Sequence, residues 1–178
     1  MTNDLSGLND SEAAQVCALL RARLIDTVSR TGGHLASSLG AVELIVAIHR
    51  VFDTGRDRLG FDVGHQCYAH KILTGRNDAM ETLRTFGGIA GFPKPAESVC
   101  DAFVAGHASN SVSVAVGMAR ARTLQKQDYH VLALIGDGAL SGGLAYEGLS
   151  DAGDSGEPLI VILNDNGMSI TKSVGGVA

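Results

Sequence analysis

Apolar residues at Ala13, Val16, Leu20, Leu24 and Val28 recur at helical spacing, so the chain opens on a long amphipathic helix. Asn9 followed three residues later by Glu12 predicts a capping box at its start, and Gly32-Gly33 predicts its end. Residues 33–40 read as a small-residue loop feeding a second helix over about 41–52, and a polar connector leads to a short strand over 59–63. Helices follow over about 67–73, stopped by Gly75, and 78–86. From 87 to 105 the periodicity fails amid Gly87, Gly88, Gly91, Pro93 and Pro95, which predicts an irregular surface loop of functional use. A helix over about 110–124 carries Ala115, Gly117, Ala119 and Ala121, small residues that allow close packing. Two continuous apolar runs, 131–135 and 159–163, then flank a helix-like stretch over about 142–152. Strand, turn, helix, strand predicts an α/β fold, with a mostly parallel sheet flanked by helices.

Each apolar run closes on a polar cluster, Gly136-Asp137-Gly138 after the first and Asn164-Asp165-Asn166 after the second. Either cluster alone is ordinary turn chemistry. Behind two parallel strands, however, they meet at the carboxyl ends, where ligands of open α/β sheets bind. A carboxylate (Asp137) and an amide carbonyl (Asn166) are hard oxygen ligands suited to Mg²⁺. Glycines beside Asp137 allow close backbone approach, and the following helix aims its first amides at an anion. Together these features predict a diphosphate cofactor held through magnesium.

Composition narrows the class. With 45% hydrophobic and 19% charged residues, the 178-residue chain is an ordinary globular sequence long enough for one sizeable core. Gly at 23 and Pro at 3 favour glycine turns over a disordered linker, and the absence of Trp makes the core aliphatic. A net charge of −5 without a basic run argues against nucleic acid or an anionic membrane as partner. The first ten residues lack a signal core, no apolar stretch has the length of a membrane span, and a cytoplasmic protein is expected. Cys17, Cys67 and Cys100 are too few and too scattered for a zinc site or a disulfide framework.

The paired clusters resemble the thiamine-diphosphate motif, and several further blocks resemble the 1-deoxy-D-xylulose-5-phosphate synthase family within the transketolase-like superfamily. The carriers are Gly33-His34-Leu35-Ala36-Ser37-Ser38-Leu39-Gly40, Asp62-Val63-Gly64-His65-Gln66, His70-Lys71-Ile72-Leu73-Thr74-Gly75-Arg76 and Gly91-Phe92-Pro93-Lys94. Gly106-His107, Gly136-Asp137-Gly138-Ala139 and residues 164–170 complete the set, in order, from about residue 30 onward. The block at 70–76 and the run Asn164-Asp165-Asn166-Gly167-Met168-Ser169-Ile170 favour the synthase over a general transketolase.

The resemblance implies a thiamine-diphosphate-binding fold and an enzyme, dimeric when complete, that condenses pyruvate with glyceraldehyde 3-phosphate and releases CO₂. It implies thiamine diphosphate and Mg²⁺ as cofactors, with Asp137, Asn166 and the Met168 carbonyl on the metal. Gly138 and Ala139 would meet the diphosphate through backbone amides, and His65, Gly106, His107 and Ala108 would line the cofactor pocket. His34 falls where the family places a histidine suited to proton transfer. Two positions depart from the family pattern: Gly167 replaces a usual Glu, and Ala108 replaces a usual Ser.

The glutamate that activates the cofactor belongs, in this family, to a pyrimidine-binding domain that residues 1–178 do not contain, nor do they contain the C-terminal domain. The chain is therefore expected to be an incomplete diphosphate-binding domain, inactive alone and a fragment of the enzyme. Its rivals are a non-catalytic assembly module, one subunit of a split enzyme, or another transketolase-like enzyme. A plain nucleotide-binding domain is disfavoured, because neither a Walker motif nor Gly-x-Gly-x-x-Gly is present. His49, His70 and His130 are expected to be structural, and Asp62 and Glu147 to be structural partners. Lys71 and Arg76 divide evenly between substrate-phosphate binding and plain surface charge.

Overall fold

The structure, a computed structural model, describes residues 5–165. Helix α1 spans Asp10–Thr31 and starts on the predicted box: the Glu12 N–H donates to Asn9 Oδ1 at 3.0 Å, and the Asn9 N–H donates to Glu12 Oε2 at 2.8 Å. Such a cap contributes about 1 kcal/mol by satisfying amides that the first turn leaves unpaired. The helix ends at Gly32, whose N–H reaches the Val28 carbonyl. Ala13, Leu20, Leu24 and Val28 are buried on its inner side.

The stretch read as a loop before the second helix holds a short helix of its own, α2 (Leu35–Leu39), followed by α3 (Val42–Val51). Strand β1 (Arg58–Phe61) leads into α4 (Tyr68–Lys71), which runs on as a π-turn over Ile72–Arg76. Thr74 and Gly75 break the helical backbone there, and a 3₁₀ turn covers Asp78–Thr82. Residues 87–105 hold neither helix nor strand, as their composition predicts. They are not simply a surface loop, because Gly91, Pro93, Cys100 and Asp101 are buried. Helix α5 (Ser111–Leu124), β2 (Val131–Gly136), a four-residue α6 (Asp137–Leu140), α7 (Gly143–Ser155) and β3 (Ile160–Asn164) complete the described chain.

The three strands form one parallel sheet in the order β1-β2-β3. Side chains alternate across a strand, and β2 uses both faces. Leu132 and Leu134 join a core with α1, α3 and α4, while Val131, Ala133 and Ile135 join a second core with α5 and α7. The close α5–α7 approach comes from Gly148, where an added Cβ would lie 2.8 Å from Ser113 Oγ. Gly117, expected to serve that purpose, is exposed. The apolar run at β3 predicts a strand buried on both faces, yet Ile160 is 38% and Leu163 48% exposed. Parallel strands are ordinarily covered on both sides, and β3 is the edge of this sheet.

Candidate functional site

The parallel register brings the predicted clusters together at the carboxyl end of the sheet. Phe61 pairs with Leu134, the Asp62 N–H donates to the Leu134 carbonyl at 2.8 Å, and Gly136 pairs with Asn164. Asp137 follows β2 directly and opens α6 instead of lying in an open turn. Asp137, Gly138 and Ala139 thus occupy a first helical turn, whose amides have no acceptor within the helix. The half-buried Asp137 carboxylate takes no hydrogen bond or ion pair among the described residues. Asn166 and Met168, its expected partners on a metal, lie outside the described residues, as does Gly167. Among the described residues alone, no three His, Cys, Asp or Glu side chains converge to hold an ion. Asp137 is the one predicted ligand whose place is described, and an unpaired carboxylate beside free amides suits a cation that bridges to an anion.

Asp62 fixes the second wall. It is 1% exposed, and its two oxygens accept the Ser109 N–H at 2.7 Å and the Ser111 N–H at 3.0 Å, which ties β1 to the start of α5. The structural role expected of Asp62 is observed. Glu147, given the same expectation, is exposed and unpaired among the described residues. Ser109 also donates its hydroxyl to the Ala139 carbonyl at 2.7 Å, so the segment Gly106-His107-Ala108 is held beside α6. Ser109 has φ 74 and Val63 has φ 57. Left-handed backbone is uncommon outside glycine, and for a β-branched residue it marks strain of the kind concentrated at working sites. His65 Nδ1, Asn110 Oδ1 and Ser111 Oγ at this end of the sheet are buried without a hydrogen-bond partner. Buried polar atoms normally have partners, so these three are spare hydrogen-bonding capacity.

Of the three glycine-preceded histidines, two meet. His34 and His65 stand edge to face with centroids 5.5 Å apart, and Phe92 lies 5.8 Å from His34 on another side. The Tyr68 hydroxyl accepts the His34 N–H at 3.3 Å and lies 3.5 Å from its Nδ1. Burial, and then the charge of Arg84, holds the His34 imidazole below its ordinary value. Burial and the neighbouring His34 do the same to His65, against an upward pull from Asp62. Both are therefore neutral near pH 7 and able to accept a proton. His107 does not join them: it is exposed, with Nδ1 3.1 Å from the Ala108 carbonyl, and no ring contact links it to either.

The unforeseen feature is a buried ionic cluster behind this pocket. Lys71 is 0% and Arg76 7% exposed, so neither is surface charge and neither is free for a substrate phosphate. Lys71 Nζ lies 2.7 Å from Glu97 Oε2, and Arg76 binds Asp101 through two contacts of 2.7 Å. His70 Nε2 lies 3.0 Å from Asp101 Oδ1, and His70 Nδ1 lies 2.9 Å from His49 Nε2. His49 and His70 are structural, as expected, and so is His130, held against Asp57 at 3.2 Å. Nothing in the local pattern announces the cluster, because its acids come from the irregular 87–105 segment. A cavity of about 540 Å³ lined by His49, Phe52, Thr54, Leu73 and Cys100 adjoins the cluster, and none of the expected site residues lines it.

The profile of the family described as 1-deoxy-D-xylulose-5-phosphate synthase matches residues 1–178. The chain belongs to that family. A 1-deoxy-D-xylulose-5-phosphate synthase of Parabacteroides distasonis is 58% identical over 176 residues, 98% of this chain and 28% of the relative. A 1-deoxy-D-xylulose-5-phosphate synthase 1 of Geobacter metallireducens is 55% identical over 175 residues, again 98% and 28%. One from Clostridium kluyveri is 55% identical over 176 residues, covering 99% of the chain and 28% of the relative. The chain thus spans little more than a quarter of the length of these synthases and corresponds to their N-terminal part. No helix among the described residues is long and apolar enough to cross a membrane.

Proposed function

We propose that this chain forms the diphosphate-holding part of a thiamine-diphosphate-dependent 1-deoxy-D-xylulose-5-phosphate synthase, a cytoplasmic transferase of isoprenoid and thiamine biosynthesis. The observation that carries the reading is the unpaired Asp137 carboxylate at the head of α6. It stands beside the free amides of Gly138 and Ala139 and the loop that Ser109 binds to Ala139. In this reading Asp137, with Asn166 and the Met168 carbonyl, holds Mg²⁺, and the Gly138 and Ala139 amides take the diphosphate. His65, Gly106, His107 and Ala108 line the cofactor pocket.

Thiamine diphosphate, when bound, would supply a nucleophilic carbon for the condensation of pyruvate with glyceraldehyde 3-phosphate. This chain's own contribution is binding and proton management. His34, neutral near pH 7 and hemmed in by Tyr68 and Phe92, takes or returns a proton at the reacting oxygen. In this reading the rest of the enzyme and a second subunit complete the active site, the chain itself spanning about 28% of the relatives' length. Calorimetry on the intact enzyme tests the reading: Asp137→Ala removes most Mg²⁺-dependent thiamine-diphosphate binding. Binding at undiminished strength in that variant overturns the metal assignment.

The half-exposed β3 favours a second reading, in which the chain is an assembly module or one subunit of a split enzyme. Ile160 and Leu163 then meet a partner chain. A sizing column tests this second reading, since a clean, stable monomer counts against it.

A further inference from the structure

The sequence Gly91-Phe92-Pro93 lies against the His34–His65 pair, with Phe92 on His34 and Pro93 on Gly64, and the two backbone amides that bracket it are each held by a carboxylate of the buried ionic cluster. The Ala90 N–H donates to Glu97 Oε1 at 2.8 Å, and the Lys94 N–H donates to Asp101 Oδ2 at 2.6 Å. Those carboxylates are in turn anchored by Lys71, Arg76 and His70 on α4 and the π-turn. Between the two anchors, Phe92 lies against His34, and an added Cβ on Gly64 would come within 2.5 Å of Pro93 Cδ.

The geometry points to Glu97 and Asp101 as positioning residues that clamp a three-residue strap against the His34–His65 pocket. Buried ion pairs are weak as sources of stability, but a buried charge that loses its partner is strongly unfavourable. Such a cluster therefore tolerates one arrangement and excludes the neighbouring ones. The irregular segment has no helix or strand to fix it, and these two carboxylates supply what secondary structure would otherwise provide. Two sequence blocks gain a common purpose: 70–76 provides the cations and His70, and 91–94 contains the strap they hold in place and its Lys94 anchor. The clamp deepens the proposed function and rests on it only for His34's part in turnover.

The test is made on the intact enzyme with Glu97→Ala and Asp101→Asn. Glu97→Ala is the safer variant, because Lys71 keeps Asp101 at 3.9 Å as a second partner. Backbone hydrogen exchange by mass spectrometry is expected to quicken about tenfold or more across residues 90–94. Exchange at the histidine C2–H, which reports individual titrations, is expected to move His34 upward toward its ordinary value as water enters. Turnover should fall more than KM rises, and Glu97→Gln, which keeps a carbonyl for the Ala90 amide, should restore part of the slow exchange. Unchanged exchange across 90–94 with an unchanged His34 titration in both variants overturns the clamp. Faster exchange and a shifted His34 with unaltered turnover supports the clamp and removes His34 from the proposed chemistry. Should Asp101→Asn fail to fold, Glu97→Ala decides alone.

Discussion

The Asp62 carboxylate accepts the Ser109 N–H at 2.7 Å across 47 positions of sequence, and Ser109 passes that constraint on to Ala139. One buried acid thus joins the ends of β1 and β2 to the loop that opens α5. Two amides depend on it, so Asp62→Ala leaves both without an acceptor. A destabilisation of about 2–6 kcal/mol is expected in urea unfolding, summing about 1–3 kcal/mol for each buried donor left unmet. Asp62→Asn keeps one acceptor and should lose about half as much.

Gly64 and Gly75 offer a controlled comparison. Both have left-handed backbone, φ 87 and φ 88, but an added Cβ at Gly64 meets Pro93 whereas at Gly75 it meets nothing within 4 Å. Gly75→Ala should therefore lose only the backbone preference, about 1–2 kcal/mol. Gly64→Ala adds overpacking against the strap, about 1–3 kcal/mol more. Equal losses in thermal unfolding would mean that Pro93 does not press on Gly64.

Acid should weaken the fold before ordinary carboxylates titrate. Burial, then the adjacent His70, pushes His49 down to about 3, and burial holds His70 low in spite of Asp101. A histidine whose folded value is depressed is stabilising above its unfolded value of about 6.5 and loses that contribution as pH falls below it. For His49 the loss continues to about 3. Each such group weakens the fold by up to about 1.4 kcal/mol per pH unit within its window. Burial alone would raise the Asp101 carboxyl, but hydrogen bonds from His70 and Arg76 outweigh it and hold it far below the usual range. Its contribution is lost only under stronger acid, in the same direction. Melting temperatures between pH 7 and 4 should fall, and His49→Phe should flatten the slope between pH 6.5 and 4; a parallel slope would exclude His49 as the origin.

Ala108 is exposed on the loop that Ser109 holds, and its carbonyl faces His107. Ala108→Ser adds the hydroxyl that the family resemblance implies at this position, and the Ser109 bonds are separate from it. Thiamine-diphosphate affinity in the intact enzyme should change by less than about tenfold, worth under about 1.4 kcal/mol. Unchanged affinity in calorimetry would mean that the hydroxyl plays no part.

Local rules carried most of the elements. The capping box of α1, its glycine stop, the helix at 111–124 and the parallel strands at 131–136 and 160–164 all follow from periodicity and end signals. The readings that failed share a cause. Lys71 and Arg76 read equally as substrate-phosphate binders or surface charge because their acids, Glu97 and Asp101, come from a segment without periodicity, 26 and 25 positions away. The apolar run at 159–163 predicts burial, but β3 is an edge in the described chain, and burial belongs to neighbours, not to the strand itself. Leu35–Leu39 and Asp137–Leu140 are single turns too short for a period to register.

By itself, the sequence determined the α/β plan and the family, marked the blocks at 33–40, 62–66 and 136–139 that carry the resemblance, and placed the clusters after the second and third strands side by side. Helix periods, caps and strand runs are written in neighbouring residues, so they are legible one residue at a time. The tertiary structure alone decided that His65 meets His34 while His107 stands apart, that Ser109 links Asp62 to Ala139, and that a buried ion cluster clamps Phe92 and Pro93. Those facts depend on which distant side chains share a low-dielectric interior, where a charge or an amide must find its partner across the fold.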